Sequence, residues 1–128
     1  MRQPLALVFY ESLLPGNQLL NRLQDLGYRV LTINELARLP ELAVREKPLF
    51  VFVELNAQSE AACAAIRQVK TAGDTRHIPV FAWLAGTDRR LRDGAGRSAQ
   101  AAGASVLSPG PGMLAQLPQL LDQALENG

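Results

Sequence analysis

Two glutamates stand at positions where strand-based proteins commonly place functional groups. Glu11 follows the apolar run Leu5–Tyr10, and Glu54 lies near the end of the apolar run Leu49–Leu55. If these runs are neighbouring parallel strands, their carboxyl ends share one edge of the sheet and the two carboxylates approach each other. Divalent cations generally require more oxygen ligands than one or two carboxylates provide. Glu11 is therefore a weak candidate metal ligand, and we predict no metal site.

The other reactive residues do not form a catalytic set. Cys63 lies on an alanine-rich apolar helix face and His77 precedes a strand, so both fall outside the loops at the strand carboxyl ends. No glycine-rich turn follows the first apolar run, which argues against a dinucleotide fingerprint and a P-loop. Because no nucleophile, base and electrophile converge, we expect neither an enzyme nor a cofactor.

One segment of helical character carries four arginines: Arg89, Arg90, Arg92 and Arg97. Asp88 and Asp93 are interspersed and leave a mildly positive balance. A solvated helix face and a docking surface for an acidic protein are both compatible with this pattern. No helix-turn-helix segment accompanies the arginines, so nucleic-acid binding is not expected.

The elements that would position these residues alternate between two patterns. Five short runs are apolar without alternation, which is typical of parallel strands covered by helices on both faces. These runs are Leu5–Tyr10, Tyr28–Ile33, Leu49–Leu55, Ile78–Ala85 and Ala104–Ser108. Segments of helical period follow them at about 15–27, 34–42, 59–72, 88–102 and 114–125.

Residues typical of helix ends bound these helical segments. Gly27 stands where a C-terminal cap belongs, and Asn34 is predicted to cap the second helix. Pro40 should limit or bend that helix, whereas Pro118 should lie in the first turns of the last one, where a missing N–H costs least. Five strand–helix pairs with right-handed crossovers predict a doubly wound, three-layer α/β sandwich.

Composition excludes several classes of protein. The 128 residues, 48% of them hydrophobic, predict one domain over 1–128 with one core. Aromatic residues make up only 5%, so we expect a core of Leu, Val, Ile and Ala. A net charge of +1 excludes a polybasic arm, and a single cysteine suits a reducing cytoplasm. No apolar stretch approaches the roughly 18–20 residues of a membrane span.

Three short stretches carry a resemblance to a known family. They are Leu26-Gly27-Tyr28 after the first helix, Thr75-Arg76-His77-Ile78-Pro79-Val80 before the fourth strand, and Ala101-Ala102-Gly103-Ala104 before the fifth. In their order and spacing the chain resembles the receiver domain of two-component response regulators over nearly its full length. The resemblance implies a flavodoxin-like (βα)5 fold with strand order 2-1-3-4-5.

The resemblance also implies that the phosphoacceptor pocket is degenerate. Receivers hold magnesium with an acidic pair after the first strand, and here those positions are Tyr10 and Glu11. The phosphoaccepting aspartate falls on Glu54, and the hydroxyl residue after the fourth strand falls on Leu84. The family's lysine falls on Gly110 when residues are counted without gaps. A slip of two residues would place Ser108-Pro109 there, also without a lysine.

These losses predict a domain that works without phosphorylation. Glu54 can be a built-in mimic of the phosphoryl charge or simply a surviving carboxylate. The resemblance implies a protein partner (a kinase, another regulator or an output protein) or a homodimer, with contact through the fourth helix, fifth strand and fifth helix. The alternative is a flavodoxin-like module that binds a nucleotide or flavin at the strand ends.

Overall fold

A computed structural model describes residues 4–10, 13–55, 59–84, 89–107 and 111–127. The strands are β1 (Leu5–Phe9), β2 (Arg29–Ile33), β3 (Phe50–Leu55), β4 (Val80–Leu84) and β5 (Ser105–Leu107). The helices are α1 (Leu13–Asp25), α2 (Leu39–Glu46), α3 (Ser59–Thr71), α4 (Arg89–Ala102) and α5 (Pro111–Asn127). The predicted alternation of strands and helices is confirmed. Within the described ranges, no helix is long and apolar enough to cross a bilayer.

The strands form one parallel sheet in the order β2-β1-β3-β4-β5, which confirms the flavodoxin-like (βα)5 arrangement. All residues of the central strand β3 are buried. Strand order reverses direction between β1 and β3, and in doubly wound sheets this switch point lies beside the usual functional crevice.

Side chains of β3 divide the core into two halves. Val51, Val53 and Leu55 lie in the half that α2, α3 and α4 cover. Phe50 and Phe52 lie in the other half, which α1 and α5 cover. Since alternate residues of a strand share a face, Glu54 lies on the side of α1 and α5.

The α1/α5 half corrects the expectation of an aliphatic core. Phe50 and Phe52 both contact Phe81, with ring centroids 6.0 Å and 5.3 Å apart, and Tyr28 lies 5.7 Å from Phe50. The few aromatic residues are concentrated here because β3 and β4 present them on the same face, where offset rings pack favourably.

The second helix begins differently from the prediction. A short 3-10 turn, Leu36–Arg38, precedes α2, and neither element has a side-chain cap, so Asn34 is not the cap. Pro40 lies in the first turn of α2, where the missing N–H has no intrahelical partner to lose. It therefore opens the helix and does not bend it.

The last helix corrects the placement of Pro118. Because α5 already begins at Pro111, Pro118 lies inside the helix and not in its first turns. A proline there cannot donate to the carbonyl four residues earlier, so one backbone bond of α5 is missing. Leu117 and Leu121 on either side of it are buried and hold the helix on the sheet.

Gly27 ends α1 with a positive φ of 93°. Its N–H donates to the carbonyl of Gln24, and the N–H of Tyr28 donates to that of Leu23, both over 3.0 Å. These bonds close the helix in the manner of a glycine C-cap, as predicted.

We expect Gly27→Ala to lower the free energy of unfolding by about 1–2 kcal/mol, because a Cβ disfavours positive φ. Nothing lies within 4 Å of the added Cβ, so the loss is conformational. Urea denaturation followed by the fluorescence of Trp83, the single tryptophan, measures it.

Gly94→Ala in α4 is the matched control, since its new Cβ also meets open space and its φ is not positive. This substitution should be neutral or should stabilise the protein by about 0.5–1 kcal/mol. Equal losses in the two variants would contradict the role given to Gly27.

Candidate functional site

A row of three residues crosses the carboxyl edge of the sheet on the α1/α5 face. Glu54 of β3 pairs with Trp83 of β4. On the other side, Phe9 pairs with Val53, so Tyr10, the next residue along the chain, lies beside Glu54. The carboxylate therefore stands between two aromatic residues at the switch point of the sheet.

Glu54 is enclosed by the protein. Its exposed fraction is 1%, and only Thr75 is another buried polar residue in the described part of the chain. Glu54 takes part in a hydrogen-bonding or electrostatic interaction. A buried carboxylate is costly unless hydrogen bonds or nearby charges compensate for the lost water.

Trp83 is the polar neighbour of Glu54 with an unsatisfied donor. It is 2% exposed, packs in the α1/α5 half of the core, and its Nε1 has no hydrogen-bond partner among the described residues. Buried donors without a partner are rare and destabilising. Trp83 is thus a core residue whose indole N–H meets no acceptor within the described ranges.

The hydroxyl of Tyr10 forms its hydrogen bond with α1 and not with Glu54. It is half-buried against the α1/α5 half of the core, and its hydroxyl donates to Oδ1 of Asn17 in α1 over 3.4 Å, a long and weak bond. Since a phenol has one proton to donate, Tyr10 fills the mouth of the pocket without donating to Glu54.

Several predicted site residues lie outside the described part of the chain. Glu11 and Gly110 are among them, as is Ser108, the alternative at the lysine position. Leu84 ends β4 and Arg89, Arg90 and Arg92 begin α4, but their side chains also lie outside that part. Of the arginine cluster, Arg97 has a described side chain, and it is exposed on α4. Among the residues that are described, no three His, Cys, Asp or Glu side chains group to hold a metal ion.

Cys63 and His77 lie away from the row, as predicted. Cys63 is buried on α3, where burial raises the pKa of its thiol and nearby Arg67 offsets this only in part. A protonated, buried thiol is a poor nucleophile. His77 is exposed in the turn before β4.

Sequence analysis missed a group of basic residues at the opposite edge of the sheet. Lys70 near the end of α3 and the pair Arg76-His77 before β4 line one cleft there. The sequence does show these basic residues, as a lysine six residues before an Arg-His pair. It was overlooked because functional sites of doubly wound sheets are expected at the carboxyl edge.

Comparison with known proteins yields structural neighbours only. No protein-family model matches the chain, and no curated protein matches it significantly. The receiver domain of a sensor histidine kinase from Pseudomonas aeruginosa, whose structure has magnesium in its active-site cleft, superposes with a TM-score of 0.77 at 20% identity and covers 97% of this chain and 98% of its own.

Two further solved structures are similar over the whole chain. A response regulator from Thermotoga maritima has a TM-score of 0.71 and 24% identity, with 97% of this chain and 98% of its own covered. A chemotaxis protein from Vibrio cholerae has a TM-score of 0.72 and 17% identity, with 95% and 98% covered. At these identities the likeness establishes the fold.

Replacing the buried carboxylate of Glu54 tests how much its interactions contribute to stability. We expect Glu54→Gln to lower the free energy of unfolding by about 1.5–3 kcal/mol, the contribution of a hydrogen bond to a charged group. Urea denaturation followed by Trp83 fluorescence measures the loss and also reports on the pocket, because Trp83 pairs directly with Glu54.

Glu35→Gln removes the same charge from an exposed residue whose side chain makes no cap hydrogen bond. It should change the free energy of unfolding by less than about 0.5 kcal/mol. If the Glu54→Gln variant is as stable as the Glu35→Gln variant, the buried carboxylate of Glu54 does not contribute to the free energy of unfolding.

Proposed function

We propose that residues 1–128 form a single receiver-like domain that acts in signal transduction through protein–protein contacts, without being phosphorylated. The observation that carries the proposal is Glu54: a buried glutamate on the central strand, at the position where the resemblance places the phosphoacceptor. The fold shared with solved receiver domains and response regulators supports the same assignment.

Burial makes Glu54 a poor phosphoacceptor. At 1% exposure its oxygens are closed to a phosphodonor, and the neighbours Tyr10 and Trp83 occupy the space beside it. Phosphoryl transfer to a carboxylate also needs cations around the equatorial oxygens. Leu84 and Gly110 stand where receivers place a hydroxyl and a lysine, so the chain supplies neither group from these positions. Glu54 instead provides a permanent polar group in the pocket.

The described residues do not fit a receiver's magnesium. Tyr10 takes one of the two acidic positions, and its phenol faces Asn17. Magnesium prefers near-octahedral oxygen coordination that includes carboxylates. Glu11 is left as a single acidic candidate, so we assign no step to a metal ion.

If the pocket does not switch between phosphorylated and unphosphorylated states, the domain acts through the surface that its partner binds. We propose contact through the face formed by α4, β5 and α5, where β5 is an edge strand of the sheet and Arg97 is exposed. The partner is a kinase, another regulator, an output protein or a second copy of the chain. Arg89, Arg90, Arg92 and Arg97 then favour an acidic counterpart.

Phosphodonors test the proposal directly. Acetyl phosphate or beryllofluoride with magnesium should leave the protein unmodified, because the carboxylate is closed off and the two clamping groups are replaced. Intact-protein mass spectrometry and Trp83 fluorescence measure modification and pocket response.

Glu54→Asp is the informative variant for the same assay. It restores the family's acceptor but not the hydroxyl or the lysine, and it should also stay unmodified. A stoichiometric mass increase in the wild type that is absent in Glu54→Gln would overturn the proposal.

Magnesium titration tests the metal site separately. We expect no saturable rise in melting temperature at concentrations up to a few millimolar, since one acidic ligand position holds Tyr10. Calcium at equal ionic strength is the control for a nonspecific salt effect. Saturable stabilisation by magnesium that disappears in Glu11→Ala would restore the site.

A further inference from the structure

A cleft of about 440 Å³ opens at the amino ends of β4 and β5, on the opposite edge of the sheet from Glu54. Its polar lining comes from Lys70, Arg76, His77 and Ser105. Small-molecule sites commonly enclose about 300–1,000 Å³, so the cleft is large enough for a compact ligand.

The cleft carries the positive charges of Lys70 and Arg76, and no acidic side chain in the described ranges forms an ion pair with either. No carboxylate is among its lining residues, and in the described part of the chain no ion pair joins Lys70, Arg76 or His77 to an acid. Asp74, nearby along the chain, is exposed and does not line the cleft. Like charges brought together without counterions favour an anion between them.

Lys70 is the partly buried member of the set. Its Nζ donates to the carbonyl of Ile78 over 3.0 Å, which leaves two N–H groups for another acceptor. Burial lowers the pKa of Lys70, so an anion beside the ammonium would relieve an unfavourable position.

Gly103 makes the position of Lys70 possible. A Cβ at Gly103 would lie 2.8 Å from Cγ of Lys70, which is closer than real side chains pack. The φ of Gly103 is +112°, a conformation that also favours glycine. The lysine stem therefore lies directly against the glycine, and both residues line the cleft.

Hydrogen bonds to the end of α3 and the residues after it hold the turn that carries Arg76 and His77. The hydroxyl of Thr75, which is buried, donates to the carbonyl of Val69 over 2.7 Å. The N–H of Arg76 donates to the carbonyl of Ala72 over 2.9 Å. These bonds hold the backbone of Arg76 and His77 in place, which reduces the ordering cost of binding.

We propose that this cleft binds a phosphate group, carried by a small organic molecule or free in solution. A lysine, an arginine, an imidazole and the hydroxyl of Ser105 match the charge and the acceptor oxygens of a phosphate dianion. Pro79 and Ala124 complete the rim and offer apolar contacts to an organic substituent. The inference does not rest on the proposed function, and either can fail without the other.

The test titrates inorganic phosphate, and separately adenosine monophosphate, into the full chain at constant ionic strength. Amide chemical shifts in nitrogen–proton NMR spectra are the readout. We expect saturable shifts at residues 76, 77 and 105, with a dissociation constant on the order of 1 mM or tighter. Adenosine, which lacks the phosphate, should cause none.

Arg76→Ala should weaken binding by roughly tenfold, the loss of one charge-assisted contact. Arg97→Ala removes the same charge from an exposed residue of α4 outside the cleft and should leave the dissociation constant unchanged. Ser105→Ala, which changes no charge, should also weaken binding. Tighter binding of adenosine monophosphate than of inorganic phosphate assigns the site to an organic phosphate, and equal binding assigns it to free phosphate.

Absence of saturation would overturn the inference. So would equal weakening by Arg76→Ala and Arg97→Ala, since that is the signature of nonspecific attraction. Saturable shifts confined to residues outside the cleft would place the anion elsewhere and would equally refute it.

Discussion

Burial of β3 on both faces is the constraint on which the other parts of the structure depend. A strand without a solvent face has to be covered twice, so the helices divide between its two sides. The same alternation that sends Val53 to one half of the core sends Phe52 to the other. It also sends Glu54 inward, where one polar group has to be accommodated in an apolar layer. The position of Glu54 is thus a consequence of the central strand.

Sequence patterns predicted the class of fold because continuous apolar runs and helical periods do not depend on tertiary contacts. They failed where a proline was compatible with two positions, the first turn of a helix or its interior. Pro40 opens its helix and Pro118 lies inside one, and the difference depends on where the first turn begins. The aliphatic core was wrong for a different reason: overall composition does not say that Phe50, Phe52 and Phe81 meet on one face.

Which residues lie together in the candidate site depends on the register in which neighbouring strands pair. Tyr10 and Glu54 could be placed at the carboxyl edge from the sequence, since each lies at the end of an apolar run. That Trp83 stands beside Glu54 follows from the pairing of β3 with β4, which a sequence alone does not give. The cations at the other edge escaped because Lys70 belongs to one helix and Arg76 to the next turn, and only the path of the chain brings them to one cleft.

The close contact between Gly103 and Lys70 has an evolutionary consequence. Two positions 33 residues apart share one small volume, so a side chain at 103 does not fit while Lys70 keeps its present path. In relatives of this chain, a residue with a side chain at 103 has to be accompanied by a shorter or redirected side chain at 70. Those two positions should therefore covary.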